Sequence, residues 1–270
     1  MFKSNLHTHT TFSHGFNTME EMALAAIARN FTSLGISEHA PSVFEDYALP
    51  LGRVGDYKQE FYRLREKYKD NIQLYLGMER DVLSDYPADG LDYVIGSVHI
   101  LRDDMGCLHC VDWQPDMYER GIQKIGGGDV RIFVARYFDA ICEMAEVNSP
   151  DIIGHMDLIV KLNTNSRFFN EDSGWYRELC ANTVTRLAKS GCIIELNTAL
   201  AGRSGRDIPY PSPFLLERLA VEKAPVTISS DSHRAEDLDF WFRDAVALLK
   251  RCGFRTVKQM LDGGFIDVEL

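Results

Sequence analysis

Short β-rich segments alternate with amphipathic helical stretches along this chain, and nearly every β-rich segment ends in a histidine, glutamate or aspartate. Asn5-Leu6 leads into His7, residues 33–37 into His39, residues 72–78 into Glu79, and residues 93–98 into His99. Ile152-Ile153-Gly154 delivers His155, residues 192–196 form a further strand, and residues 225–229 lead to Asp231 and His233. Between them, Thr18 and Glu21 form a capping box that opens a helix to Arg29. Residues 57–68, 132–147, 171–189, 212–221 (opened by Pro213) and 240–251 read as the other helices. About seven strands alternating with helices predict parallel βα units. A closed barrel of such units presents its active site at the C-terminal ends of the strands, where these polar residues fall.

No repeat or low-complexity linker divides the 270 residues, so one barrel domain over 1–270 is expected. With 29 Lys+Arg against 40 Asp+Glu the net charge is −11, which argues against binding to nucleic acid or an anionic membrane. An anionic substrate must therefore be recruited by local cations. The six cysteines lack the dense spacing of a secreted scaffold, residues 1–5 carry no signal-like apolar region, and no apolar run approaches a bilayer span. A cytoplasmic protein with reduced thiols is expected.

Seven of the eight histidines, with Glu79 and Asp231, make up the strand-end set: His7, His9, His14, His39, Glu79, His99, His155, Asp231 and His233. In His7-Thr8-His9 the two-residue period of a strand puts both imidazoles on one face, able to clasp one metal. Asp231-Ser232-His233 repeats the arrangement with a carboxylate. One histidine at a strand end means little, but seven arriving at the same end of successive strands point to metal. Imidazole and carboxylate suit zinc, manganese and iron, and the absence of cysteine argues against a closed structural zinc site.

These residues carry a resemblance. His7-x-His9, Glu38-His39, Gly77-Met78-Glu79, Gly96-Ser97-Val98-His99, Gly154-His155-Met156-Asp157 and Asp231-Ser232-His233 resemble the motif series of the polymerase and histidinol phosphatase (PHP) superfamily. Residues 96–99, 152–159, 195–198 and 209–213 are most similar to its stand-alone histidinol-phosphatase branch. The resemblance implies a distorted seven-stranded α/β barrel of TIM-like type with two to three divalent transition-metal ions. It implies His7, His9, Glu79 and Asp231 around the first ion, and Glu79 bridging to a second held by His99 and His155. His14, His39 and His233 would take the third, and His14 stands where many relatives have aspartate.

Phosphate monoesters hydrolyse very slowly unaided, so an enzyme must supply a nucleophile and neutralise developing charge. A hydroxide bridging two metals does both. The expected function is thus a phosphomonoesterase, hydrolysing L-histidinol phosphate to L-histidinol and phosphate. Its rivals are action on another small phosphate or nucleotide, a metal-dependent amidohydrolase or lactonase, and a non-catalytic metal-binding protein. The amidohydrolase reading is disfavoured because no lysine stands at a strand end.

Glu79, Asp231 and Arg203 are the catalytic candidates. Arg203 and Arg206, in the loop after the 192–196 strand, and Arg53, in the long loop after His39, are candidates for the substrate phosphate, since a planar guanidinium donates two hydrogen bonds at once. Asp157 either orients a ligand imidazole or caps a helix, and Glu38 should point away from His39. Cys107-Leu108-His109-Cys110 lacks the second pair a closed zinc site needs, and Gly126-Gly127-Gly128 is a turn without the Lys-Ser/Thr of a nucleotide loop.

Overall fold

Seven short parallel strands lie side by side in chain order in the computed structural model, which describes residues 2–42, 44, 46–201 and 208–270. They are β1 (Ser4–Asn5), β2 (Ser33–Ile36), β3 (Gln73–Asp81), β4 (Tyr93–Ser97), β7 (Ile152–Ile153), β8 (Ile193–Asn197) and β9 (Val226–Ser229). A hairpin, β5 (Ile100–Arg102) and β6 (Leu108–Cys110), interrupts the series after β4. The strands are buried throughout or nearly so, as parallel strands covered on both faces must be.

Among the described residues seven α-helices pack outside: α1 (Met19–Ala28), α2 (Val54–Lys67), α3 (Pro115–Lys124), α4 (Val130–Glu143), α5 (Gly174–Ser190), α6 (Pro213–Val221) and α7 (Phe242–Cys252). The capping box at the start of α1 is formed, with Thr18 Oγ1 accepting from Glu21 N at 3.2 Å and Glu21 Oε2 accepting from Thr18 N at 2.7 Å. Inside the barrel Leu6, Tyr75, Tyr93, Ile95, Ile152 and Ile193 form a small apolar plug. A second hairpin, β10 (Thr256–Leu261) and β11 (Gly264–Glu269), closes it by adding Met260. Tyr57, from α2, donates to the carbonyls of Ile36 and Gly77 at 2.8 and 2.9 Å and so pins β2 to β3.

The seam between β9 and β1 is closed differently. The two strands meet at a parallel bridge between Thr8 and Ser232, beyond both strand ends, where His9 N donates to Ser232 O at 2.9 Å and Ser232 N to His7 O at 3.1 Å. Below it the Asn5 amide donates to Ser230 Oγ at 2.8 Å and to Leu238 O at 3.0 Å. The barrel is nearly closed, and the closing contacts belong to the residues flanking the histidines.

Several segments differ from the sequence reading. Strand β3 runs through Glu79 to Asp81, because β4 pairs alongside it as far as Ser97. Helix α4 ends at Glu143 and continues as one wider turn to Asn148, with Ser149 left-handed at φ 44°. Helix α3 and both hairpins were not expected from the pattern. Among the described residues no helix is long and apolar enough to cross a membrane.

Candidate metal centre

Glu79 stands at the middle of the strand-end cluster, 1% exposed. Its Oε2 lies 3.0 Å from His39 Nδ1, 3.2 Å from His7 Nε2 and 3.5 Å from His9 Nε2. Its Oε1 lies 3.1 Å from His155 Nε2 and 3.5 Å from His99 Nε2, and accepts from Ser97 Oγ at 2.7 Å. Asp231 Oδ1 closes the ring, 3.2 Å from His9 Nε2 and 3.6 Å from His7 Nε2. At the outer edge His233 Nε2 and His14 Nε2 are 2.6 Å apart. The nine expected ligands are therefore in one place.

Local backbone accounts for much of this. The bridge between His39 and Glu79, with Ala40 N donating to Glu79 O at 2.7 Å, sets their side chains together. Asp231 takes the left-handed conformation at φ 48°, which aspartate tolerates better than most residues and which turns the chain over the strand end. Gly154 precedes His155 where a Cβ would lie 2.5 Å from Ser97 Oγ, so only glycine leaves the Ser97 bond to Glu79 intact. Gly15 follows His14 where a Cβ would strike the His9 carbonyl at 2.4 Å.

Groups behind the cluster aim the ligands. Glu195 Oε1 binds His7 Nδ1 at 2.7 Å, leaving Nε2 toward Glu79, and its Oε2 accepts from His155 N at 2.8 Å and from the Asn197 amide at 3.0 Å. The same amide donates to Asp231 Oδ2 at 3.3 Å. The Asp231 carbonyl holds His233 Nδ1 at 2.9 Å. Asp81 accepts from His99 N at 2.8 Å. Glu38, fully buried, takes hydrogen bonds from Thr10 N at 2.9 Å and from the Thr10 and Ser13 hydroxyls, so it ties down the loop that carries His14. Among the described residues, Glu38 belongs to none of the potential ligand sets.

Whether the residues fit a metal follows from their buried atoms. His7 Nε2, both ring nitrogens of His9, Glu79 Oε2 and His155 Nδ1 are buried without a hydrogen-bond partner. Left so, each would cost roughly 1–3 kcal/mol. Burial holds His9 down to about 4 and His14 to about 3, and pushes His39 well below its ordinary value, so their lone pairs are free at neutral pH. Burial opposes ionisation of Glu79 and Asp231 as well, yet the surrounding imidazoles keep both well below the usual carboxylate range. At His7 burial likewise opposes charge, but Glu195, Asp231 and Glu79 together raise it well above its ordinary value. The cluster thus carries surplus negative charge and pulls in a cation, for which a proton on His7 substitutes. Neutral imidazoles with ionised carboxylates are the state metal binding requires. The potential ligand atoms fall into overlapping sets, each within 4.8 Å: His7, His9, Asp231; His7, Glu79, His155; His39, Glu79, His99; and His9, His14, His39, His233.

The cluster opens into two adjoining hollows of about 130 and 290 Å³, both lined by His155, Leu158, Lys161, Asp231 and His233. Lys161 was not anticipated, because it lies beyond β7 rather than at a strand end. Its Nζ pairs with Asp112 Oδ2 at 2.7 Å, and although burial opposes its charge, Asp112 keeps it raised.

Of the expected phosphate contacts, Arg203 and Arg206 lie outside the described residues. Arg53 is not at the hollow: it precedes α2, packs over the Phe12 ring at 4.8 Å and donates to Thr11 O, held there by cation–π attraction. Asp157 accepts from Ser212 N at 3.0 Å at the start of α6. His109 in the Cys107–Cys110 stretch bonds Asp103 at 2.9 Å, across the β5–β6 turn.

The PHP domain model matches residues 5–199. A Schizosaccharomyces pombe protein named "Probable histidinol-phosphatase" is 26% identical over 94% of this chain and 87% of its own length. The histidinol-phosphatase of Bacillus subtilis is 25% identical over 93% of this chain and all of its own. A crystal structure of the Lactococcus lactis histidinol phosphate phosphatase with zinc, L-histidinol and phosphate superposes with a TM-score of 0.71, at 21% identity, over 98% of this chain and 99% of that one.

Proposed function

The chain belongs to the PHP-domain family, and from that premise we propose that it is a metal-dependent histidinol-phosphatase, hydrolysing L-histidinol phosphate to L-histidinol and phosphate. One barrel domain over residues 1–270 carries the activity. The observation that supports this most is that His7 Nε2 and His9 Nε2 lie within 3.5 Å of Glu79 Oε2, all three buried and without a hydrogen-bond partner.

In this reading two to three divalent ions bind. His7, His9, Glu79 and Asp231 would hold one, Glu79, His99 and His155 another, and His14, His39 and His233 a third. His39 also lies beside Glu79 and His99, so it stands between the second and third positions. When bound, the ions supply a nucleophile near neutral pH and screen the phosphoryl oxygens. The chain's own residues set the stage. Glu195 fixes the His7 ring, Asn197 steadies Asp231, and Ser97 orients Glu79. Lys161, which lines both hollows and is partly exposed, offers the phosphate dianion an ammonium.

The test is a panel of histidinol phosphate, glycerol phosphates, sugar phosphates and nucleotides, assayed with added zinc, manganese or iron alongside elemental analysis. The expected result is two to three ions per chain and the highest kcat/KM on histidinol phosphate. Preference for another phosphate would overturn the substrate, and full activity without metal would overturn the whole reading.

A further inference from the structure

Glu79, Asp231 and Asp112 line the hollow beside His99 and His155, but they keep different company. The first two face imidazoles. Asp112 faces an alkylammonium, Lys161 Nζ at 2.7 Å, and its other oxygen accepts from Cys110 Sγ at 3.3 Å. It follows the β5–β6 hairpin, which Val111 N fastens to His99 O at 2.9 Å, so its place beside the metal ligands is fixed by backbone. Only 13% of its side chain is exposed, against 35% for Lys161. Next along the chain, the Trp113 ring lies nearly parallel to that of Tyr47, at an interplanar angle of 8° and 6.4 Å between centroids, flanking the same hollow.

The geometry points to Asp112 as the residue that selects substrates bearing an ammonium group, making the enzyme specific for phosphate monoesters of amino alcohols. This rests on the phosphatase reading above. A phosphate dianion entering the hollow attracts the Lys161 ammonium, the longer and more exposed partner of the pair. Asp112 is then left as a carboxylate mostly out of water, which is costly unless another cation replaces the lysine. An ammonium on the carbon chain of the substrate does so, and one internal ion pair is exchanged for two across the interface. A neutral alcohol phosphate makes the same claim on Lys161 and leaves Asp112 unpaired. Rejection by an unpaired buried group is how a polar site discriminates most strongly. Trp113 and Tyr47 offer flat faces to a planar ring on the same substrate.

The experiment compares L-histidinol phosphate with the deaminated imidazolyl-propanol phosphate in wild type, Asp112→Asn and Lys161→Met, each with metal content measured. Asparagine keeps the size of Asp112 and its hydrogen bond to Lys161. In Asp112→Asn the ratio of the two kcat/KM values is expected to fall at least about tenfold, the amino substrate weakening through KM as it loses its ion pair and the deaminated one improving because no carboxylate is left unpaired. Lys161→Met is expected to weaken both substrates alike. If Asp112→Asn also weakens both alike, Asp112 merely anchors Lys161 and the inference is overturned. Should that variant lose metal or fail to fold, the wild type still decides. With inorganic phosphate present to draw off Lys161, L-histidinol should inhibit at least about tenfold more tightly than its deaminated counterpart, and equal inhibition overturns the inference. Loss of the histidinol phosphate reading would look different: wild type inert toward histidinol phosphate while hydrolysing other phosphates, which removes the inference with it.

Discussion

Glu79 divides its two oxygens between two groups of imidazoles, with Ser97 holding the oxygen nearer His99 and His155. Glu79→Gln keeps the shape and takes away the charge that both groups share. Turnover is expected to fall by at least about a thousandfold, with less metal retained, and near-normal rates at full metal content would show the centre to be elsewhere. Glu38 allows a second test at the same scale. Burial pushes its carboxyl from the ordinary 4.5 up to about 7. Between those values the folded state holds a proton the unfolded state has released, so stability is full below the lower value and lost as pH rises through the upper one. The loss amounts to about 3 kcal/mol at most. In Glu38→Gln the amide oxygen can still accept from Thr10, and the Ser13 hydroxyl can turn to accept in its place. Urea unfolding at pH 5 and pH 8 should show the variant gaining on wild type at the higher pH, and identical pH dependence would mean that Glu38 titrates normally. The proposed ligands were legible because they gather at strand ends and histidine is rare elsewhere. Lys161 and Asp112 were not, because neither stands at a barrel strand end, and their pairing is apparent only across 49 residues of chain.

Element boundaries follow from local chemistry where the chemistry is strong. Thr18 and Glu21 close a reciprocal pair of hydrogen bonds, and α1 begins at Met19. Thr18→Ala removes one of the two and is expected to cost about 1 kcal/mol, seen as a lower urea midpoint with kcat unchanged, since α1 packs outside the barrel. No shift in midpoint would mean that the box contributes nothing beyond what water supplies. The barrel strands were legible as apolar runs before polar ends, a pattern that burial on both faces imposes. The β5–β6 hairpin escaped because its strands are three residues each and carry Arg102 and His109 among the apolar positions. Helix α3 opens on Pro115 and was readable, since Met117, Tyr118, Gly121 and Ile122 recur at helical spacing, but it is only ten residues long and buries just two of them. The β10–β11 hairpin alternates weakly because its outer strand stays largely in solvent, and its role, closing the barrel floor with Met260, depends on long-range packing.

At the scale of the molecule, the weakest junction of the barrel and its proposed metal ligands coincide. Six neighbouring strand pairs are joined by parallel ladders, whereas β9 and β1 meet through the Thr8–Ser232 bridge and the side chain of Asn5. His7 and His9 lie on one side of that seam, Asp231 and His233 on the other. An ion held by His7, His9 and Asp231 therefore ties the first strand to the last, and it does so where the ladder has run out. Without it, Glu79, Asp231 and Glu195 confront one another with only protonated imidazole between them. Binding to the folded state alone stabilises by mass action, about 4 kcal/mol when free metal is a thousandfold above its dissociation constant. The loss on chelation should not be uniform, because the seam has the fewest other bonds. Hydrogen exchange on chelator-treated protein is expected to accelerate at residues 4–9 and 226–233, while the amides of β3 and β4 keep their protection. Re-addition of zinc or manganese should restore the pattern, and the thermal midpoint should follow it. Uniform acceleration across all seven strands would show that metal stabilises the barrel globally. No change at the seam, with metal demonstrably removed, would show that the Thr8–Ser232 bridge and Asn5 suffice to hold it closed.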